Sequence, residues 1–229
     1  IGDWSSDVCS SDLLVLHAVA PPTFSSPSLA TLIGLNGAIS LAVLIACTAI
    51  TPLTSPALVA AFFGSEVSLS PLALGLRLVL ILAGAALTAL AIRAVAGKAW
   101  VERQAERLDG LSVLMLFGFA IALMGDVLPN TLTQPLLVLG LIALSTSVSV
   151  ALTAATALAF LLSGREAAFT LGHTSGSRNM GLMLAAASAG SAPEFVWLYV
   201  ALAQFPIYLL PLLYKPLVRR LMPRQDASP

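Results

Sequence analysis

Long apolar stretches separated by short polar breaks run through the chain from residue 14 onward. A helix needs roughly 20 apolar residues to cross the hydrocarbon core of a bilayer. The pattern therefore predicts a partial first span at 14–34, which prolines interrupt. The complete spans predicted after it are 35–63, 72–92, 110–130, 135–162, 167–189 and 194–214. We expect the first of these to bend near Pro52 and Pro56, because proline cannot donate a backbone hydrogen bond.

Composition indicates that lipid is the solvent of this chain. Of its 229 residues, 58% are hydrophobic and 10% are charged, whereas about 25% are charged in a soluble domain. One globular core of this size cannot hide so much apolar surface. The formal net charge of zero gives no basic field for nucleic acid. Abundant Leu, Ala, Val and Gly favour packed helices over a β-barrel, so the predicted fold class is an all-α polytopic membrane protein.

The basic residues support this map of spans. Nine of the eleven lie in alternate connections or after the last span: Arg93, Lys98, Arg103, Arg107, Arg165, Lys215, Arg219, Arg220 and Arg224. The intervening connections, at 64–71, 126–134 and 190–194, contain neither Lys nor Arg. The positive-inside rule places the basic connections in the cytoplasm. We therefore expect a multi-pass protein of the cell's inner (plasma) membrane with a cytoplasmic C-terminus.

Residues 1–13 do not fit this pattern. Ser-Ser-Asp occurs twice between residues 5 and 13, and a DNA sequence that encodes residues 7–13 resembles a high-throughput sequencing adapter. We interpret 1–13 as an artefactual scar, which makes the chain a truncated fragment; the alternative is a natural polar N-terminus. Cys9 lies in this segment and Cys47 lies in a span, so no disulfide framework is expected.

Two predicted spans carry helix-breaking sequence at membrane depth. Residues 20–28 include three prolines, and residues 172–181 combine three glycines with Ser, Thr, Asn and Arg. Non-helical backbone survives within a membrane only where protein or a water-filled cavity satisfies it. A pair of broken segments in the two halves of a chain indicates the binding site of a transporter.

Arg178 lies near the middle of its predicted span, where a cation costs roughly 2.5–3.5 kcal/mol on insertion scales. No acidic residue lies deep in any predicted span, since Asp126 and Glu194 fall at outer ends. Together with the positive end of a half-helix, Arg178 is expected to attract an anion. In the alternative interpretation, Gly172 and Gly176 form a close helix-packing motif and backbone carbonyls hold Arg178.

Three other ionisable residues fall within predicted spans. Arg77 is interpreted as an anchor that extends to the membrane interface. His173 can shuttle protons near neutral pH, although a hydrogen-bonded structural role is the stronger interpretation. No role is assigned to His17.

Short motifs resemble the bile acid:sodium symporter superfamily. Asn-Gly-Ala-Ile-Ser at 36–40 and Thr-Ala-Ile-Thr-Pro-Leu-Thr-Ser-Pro at 48–56 resemble that family's fifth helix, and 64–71 resembles its next external loop. Gly-Ser-Arg-Asn at 176–179 falls where the family's broken ninth helix carries Gly-x-Gln-Asn. The order and spacing of these motifs agree with the family from residue 20 to 221.

The resemblance implies the C-terminal part of a ten-helix inverted-repeat transporter, in which two broken helices cross. The family divides its helices between a core and a panel domain. By resemblance, this chain consists of the following parts: a scar at 1–13, a partial core domain at 14–63 (the end of helix four and helix five), panel helices six and seven at 64–134, core helices eight to ten at 135–221, and a cytoplasmic tail at 222–229.

The sequence departs from the family at its sodium ligands. Thr174 and Arg178 stand where the family's ninth helix has a Glu and a Gln. The Ser-Asn pair of the family's fourth helix aligns with Ser26 and Pro27. Ser40 is kept in the fifth helix, but Leu44 stands where a Thr ligand is expected. The site has thus lost a carboxylate and gained a cation. We hypothesise that the Arg178 guanidinium takes the place of a sodium ion, so that no metal or other cofactor is expected and transport is sodium-independent or proton-coupled.

The predicted function is secondary active transport of a small organic anion by alternating access. The expected partners are the lipid bilayer and that anion, with no nucleic acid. The second break contributes these site residues: Thr174, Ser175, Arg178 and Asn179. The first half contributes these: Thr23, Ser25, Ser26 and Ser40.

Other functions were weighed against this one. A non-transporting receptor or scaffold on the same fold is compatible with the lost sodium ligands. Metalloid efflux is the weaker alternative, because arsenite carriers of the superfamily use a reactive thiol and Cys47 lies in a different helix. An enzyme is not expected, because the sequence offers neither a metal-binding cluster nor a Ser–His–carboxylate set.

Overall fold

The computed structural model describes residues 10–63, 70–125, 127–186 and 194–221. These residues are helical almost throughout, and none of them belongs to a β-strand apart from one isolated bridge. The α-helices in chain order are α1 (Ser10–Val19), α2 (Ser26–Ile33), α3 (Gly37–Phe63), α4 (Pro71–Ala96), α5 (Lys98–Arg103), α6 (Ala105–Met124), α7 (Val127–Thr133), α8 (Pro135–Ala159), α9 (Arg165–Gly176), α10 (Met180–Ala186), α11 (Glu194–Leu202) and α12 (Gln204–Leu221). A 3-10 turn at Leu161–Ser163 connects α8 to α9.

Within the described ranges, four helical stretches are long and apolar enough to cross a membrane: Gly37–Phe62, Pro71–Ala96, Pro135–Ala159 and Phe195–Leu221. Only 6% of the most apolar part of α4 is buried, whereas half of the corresponding part of α11–α12 is buried. An apolar helix that is exposed on most of its surface needs lipid around it. The protein is therefore an all-α membrane protein.

Both predicted helix interruptions are present. The span predicted at 14–34 consists of α1 and α2, and the span predicted at 167–189 contains α9 and α10. The second interruption is narrower than the sequence indicated, because α9 stays helical through Gly176 and the non-helical residues are 177–179. Glycine and serine lower the helix propensity of residues 172–176, but packing against α8 keeps these residues helical.

Several boundaries differ from the prediction. The span expected at 110–130 consists of α6 and α7, and Asp126 between them lies outside the described residues. Helix α12 continues to Leu221, so three of the basic residues expected after the last span lie on the helix itself. Helix α1 begins at Ser10, so residues 10–13 of the segment interpreted as a scar are helical, whereas 1–9 lie outside the described residues.

Helix α3 continues through Pro52 and Pro56 as one element. Pro56 has no N–H to donate to the carbonyl of Pro52, four residues earlier. Helix α4 passes closely at this point, because a Cβ on Gly75 would lie 3.0 Å from the Pro52 oxygen and 3.2 Å from the Pro56 ring. The close α3–α4 contact therefore requires glycine at position 75, because a side chain there would press against α3.

Helices α8 and α9 pack closely through Gly172 and Gly176. A Cβ on Gly172 would lie 2.6 Å from the Thr153 oxygen, and one on Gly176 would lie 2.7 Å from the Ser149 oxygen and overlap the Thr153 side chain. Such small residues let helix backbones approach each other in membranes. The close-packing role considered for these two glycines is confirmed.

The buried core lies where the broken helices meet α8 and α11. One apolar cluster contains Leu13 of α1, Ala20 just after it, Met180 and Met183 of α10, and the region around Tyr199 of α11. The two interruptions are thereby fixed in the interior of the helix bundle.

Replacing Gly172 by Ala should destabilise the protein by roughly 1–3 kcal/mol, because the new methyl group overlaps the α8 backbone. Gly140→Ala on α8 is the matched control, since nothing lies within 4 Å of a Cβ there. Alanine is favoured over glycine in a helix by about 1 kcal/mol, so this control should be neutral or stabilising. Thermal unfolding in detergent measures both variants. A Gly172→Ala protein as stable as the control would contradict the close packing.

Candidate binding site at two paired helix breaks

The two helix interruptions pair with each other through their backbones. Pro22 and Arg178 form an isolated antiparallel β-bridge. The Thr23 amide donates to the Ser177 carbonyl at 2.8 Å, and the Asn179 amide donates to the Pro21 carbonyl at 2.7 Å. Backbone groups that have left a helix thus find partners in the other break, as the membrane interior requires.

Local sequence explains where each helix stops. Pro21 and Pro22 lack amide hydrogens, and each disfavours helical backbone at the residue before it, so α1 ends at Val19. In the second break, Ser177 is extended, with φ −96° and ψ 98°. The Asn179 side-chain oxygen then accepts a hydrogen bond from the Leu182 amide at 3.1 Å, as an N-cap residue does.

The carbonyls at the end of α1 and just after it are bonded by two parts of the chain, α3 and the second break. The Ser55 hydroxyl donates to the Val19 oxygen at 2.7 Å, and Arg178 Nη1 donates to the Ala20 oxygen at 2.8 Å. The Asn179 amide bonds the next carbonyl, that of Pro21. The C-terminus of a helix carries a partial negative charge, which favours a cation such as Arg178 there.

Arg178 also enters a network of hydroxyl groups. Its Nη2 donates to Ser175 Oγ at 3.4 Å, and Thr156 donates to the same oxygen at 2.9 Å. The Arg178 Nε is buried without an acceptor. No Asp or Glu of the described ranges forms an ion pair with this half-buried guanidinium. Among the described residues, its positive charge is therefore offset by dipoles alone.

A second network joins α3 to α9. Ser40 Oγ and Thr174 Oγ1 lie 2.7 Å apart, and both side chains are fully buried. The Thr174 hydroxyl donates to the Thr170 carbonyl at 2.8 Å, so Ser40 is the donor to Thr174. Nearby, the buried Ser26 hydroxyl has no partner.

The predicted site residues thus contact one another in separate pairs. Arg178 contacts Ser175, Ser40 contacts Thr174, and Thr23 Oγ1 lies 3.3 Å from Ser25 Oγ. The Asn179 side-chain oxygen, predicted to line the site, is used to cap α10. The carbonyl contact predicted as the alternative for Arg178 is present, at Ala20.

The remaining ionisable residues within spans have specific surroundings. His173 is buried beside the Ser26 backbone, and its Nε2 has no hydrogen-bond partner. The hydrogen-bonded structural role predicted for His173 is supported by its hydrogen bond with the Ser26 backbone, although Nε2 has no partner. Arg77, predicted to extend to the interface, donates through Nη1 to the Ala186 carbonyl at the end of α10, at 3.4 Å.

Sequence reasoning missed a buried polar cluster around His17. Its Nδ1 lies 3.1 Å from the Tyr199 hydroxyl, and its Nε2 lies 3.5 Å from Ser149 Oγ. The three side chains come from α1, α11 and α8, and none is more than 2% exposed. A histidine within an apolar run was the available signal, but its partners lie 132 and 182 residues away in sequence.

Asn36 is a second residue that the site prediction omitted. Its side-chain oxygen caps α3 by accepting from the Ala38 and Ile39 amides, both at 3.1 Å. Its amide group donates to Glu166 at the start of α9, also at 3.1 Å. An Asn directly before an apolar helix was the signal for this cap.

No family model and no curated protein matches this chain. The resemblance to the bile acid:sodium symporter superfamily therefore stays a prediction that rests on the short motifs quoted above. Among the residues described, no group of three or more His, Cys, Asp or Glu side chains is placed to hold a metal ion. The chemistry of the site must be inferred from its hydroxyl groups, carbonyls and guanidinium.

A double-mutant cycle should detect the hydrogen bond between Ser40 and Thr174. We expect Ser40→Ala and Thr174→Val to couple by about 0.6 kcal/mol, the average for such bonds within membranes. Ser40→Ala with Thr88→Val is the control, because Thr88 is exposed on α4 and bonds its own helix. The control pair should be additive within about 0.5 kcal/mol. Unfolding in mixed detergent gives the four free energies, and full additivity in the first cycle would refute the bond.

Proposed function

We propose that this chain belongs to a secondary active transporter that carries a small organic anion by alternating access. The observation on which the proposal rests is Arg178, a cation at the meeting point of two broken helices that has no carboxylate partner among the described residues. In this proposal, the ten-helix inverted-repeat fold of the bile acid:sodium symporter superfamily surrounds the site.

The electrostatics of Arg178 favour an anionic ligand. Removing a cation from water is costly unless an opposite charge or several hydrogen bonds compensate it. At Arg178, one carbonyl and one hydroxyl supply only part of this compensation. A carboxylate or sulfonate would add a full negative charge and can accept two parallel hydrogen bonds from a guanidinium.

The contacts of Arg178 also support the hypothesis that its guanidinium replaces a sodium ion. A backbone carbonyl and a hydroxyl, the groups that it contacts, are oxygen ligands of the kind that sodium requires. The nearby Ser40–Thr174 pair consists of neutral hydroxyls and lacks the carboxylate expected in sodium-binding relatives. Transport that does not depend on sodium follows from this substitution.

The antiparallel pairing of the breaks supports an inverted repeat. One break comes from the first third of the chain and the other from the last third, and they contact each other in opposite directions. In inverted-repeat transporters, discontinuous helices from the two repeats form the substrate site near the bilayer midplane. The proposal places the chain in the plasma membrane with its basic C-terminal end in the cytoplasm.

Uptake by cells that express the complete gene tests the proposal. The probes are radiolabelled carboxylates and sulfonates, offered in sodium and in choline buffer. We expect equal uptake in both buffers and a loss of roughly tenfold or more in Arg178→Ala, because a charged hydrogen-bonded group contributes about 1.5–3 kcal/mol. Arg77→Ala, which removes the other cation within a predicted span, is the matched control and should retain uptake.

Each alternative gives a different result in the same assay. Strong stimulation by sodium would show that Arg178 does not replace the ion. Uptake that persists in Arg178→Ala would give this residue a purely structural role. Binding of the probes without flux would favour the receptor interpretation.

Cys47 offers a measurement of binding that is independent of flux. It is exposed on α3 and lies within electrostatic range of the Arg178 guanidinium. With every other cysteine replaced by serine, a bound anion should slow the alkylation of Cys47 by N-ethylmaleimide several-fold. The same anion should have no effect in Arg178→Ala. Equal protection in both proteins would place the anion elsewhere.

A further inference from the structure

The cluster of His17, Tyr199 and Ser149 takes no part in the site described so far. His17 lies in the last turn of α1, one turn before Ala20, whose carbonyl holds Arg178. Its ring is enclosed by α8 and α11 and is 2% exposed. The cluster therefore connects the first broken helix to α8 and α11.

The cluster can hold His17 in both protonation states. In the neutral ring, one nitrogen donates and the other accepts, and a hydroxyl group can do either. When His17 gains a proton, both nitrogens donate, and the Tyr199 and Ser149 hydroxyls need only rotate to accept. No hydrogen bond is lost in the change. His173 differs, because its Nε2 has no partner in the structure.

The ionisable groups around α1 are few. Among the helices that contact α1, α3 carries Cys47, and α11 carries Glu194 and Tyr199. The other two, α8 and α10, have no ionisable residue. On α1 itself, Asp12 lies five positions before His17. Tyr199 contacts the ring, and Arg178 acts on it electrostatically from the second break. Protonation of His17 therefore places a second positive charge near Arg178.

This proximity couples a proton to an anion. Two like charges in a medium of low dielectric constant disfavour each other. An anion bound at Arg178 removes much of that repulsion, so the protein binds a proton at His17 more readily when the anion is present. By linkage, protonated His17 strengthens anion binding by the same factor.

We propose that His17 is the proton-coupling residue of this protein and takes up one proton with each anion that binds at Arg178. The proposal rests on the anion-transport function argued above. A ring nitrogen of His17 forms an N–H bond with a proton from water on the side of higher proton concentration. When the anion leaves on the other side, repulsion from Arg178 returns that proton to water. A monoanion and one proton then cross together with no net charge.

Proteoliposomes that contain the complete gene product and a pH-sensitive dye test this coupling. The probe is benzenesulfonate, because the anion of a strong acid does not carry protons across lipid by itself. In the wild type, adding benzenesulfonate should acidify the interior, and uptake should rise several-fold when the outside is brought from pH 7.5 to 6. His17→Gln should lose both effects but keep the exchange of labelled for unlabelled probe.

Controls separate this inference from the function on which it rests. His173→Gln should behave as the wild type. Tyr199→Phe, which keeps the ring and its packing but removes one acceptor, should weaken the pH stimulation even if His17→Gln does not fold. Uptake without acidification, or unchanged pH stimulation in both His17→Gln and Tyr199→Phe, would overturn the role of His17. No uptake or exchange of any carboxylate or sulfonate by the wild type would instead reject the transport function.

Discussion

The structure depends on the need to satisfy backbone hydrogen bonds away from water. Two helices are broken inside the apolar part of the molecule, and each break supplies the donors and acceptors that the other lacks. Neither break could persist alone in lipid, because each unsatisfied group would cost several kcal/mol. Pairing therefore fixes the crossing point of the broken helices, and it also fixes Arg178, whose own backbone forms part of the bridge.

This constraint gathers polar side chains around one place. Arg178 and Ser55 bond carbonyls at the end of α1, Asn179 caps α10, and Ser40 meets Thr174 beside the same breaks. In the proposed transporter, the residues that complete the broken helices are also those that meet the substrate, because the pairing of the breaks holds them in place. Under the proposed function, structural and binding roles are not alternatives for Arg178, because it can bond the Ala20 carbonyl and still offer its charge to the proposed anion.

Close packing decides how far each break extends. Gly172 and Gly176 lie against the α8 backbone and stay helical, although in the sequence they looked like part of the interruption. A glycine lowers the local preference for a helix, but it also allows a neighbouring helix to approach, and in this bundle the packing term is stronger. The same holds at Gly75, where α4 approaches the prolines of α3.

The amino-acid pattern was enough to predict that lipid surrounds this protein, that it is helical, that two of its spans are interrupted and that Arg178 lies in one interruption. These features follow from local apolar runs, prolines and charge, which need no knowledge of distant contacts. The folded structure was needed to learn that the two breaks pair and that Ser40 reaches Thr174. It also revealed the Asn179 cap and the contacts of His17 with Tyr199 and Ser149. These contacts bridge residues more than a hundred positions apart in every case except the cap, and a linear pattern of apolar and polar residues does not specify which distant polar group will meet which.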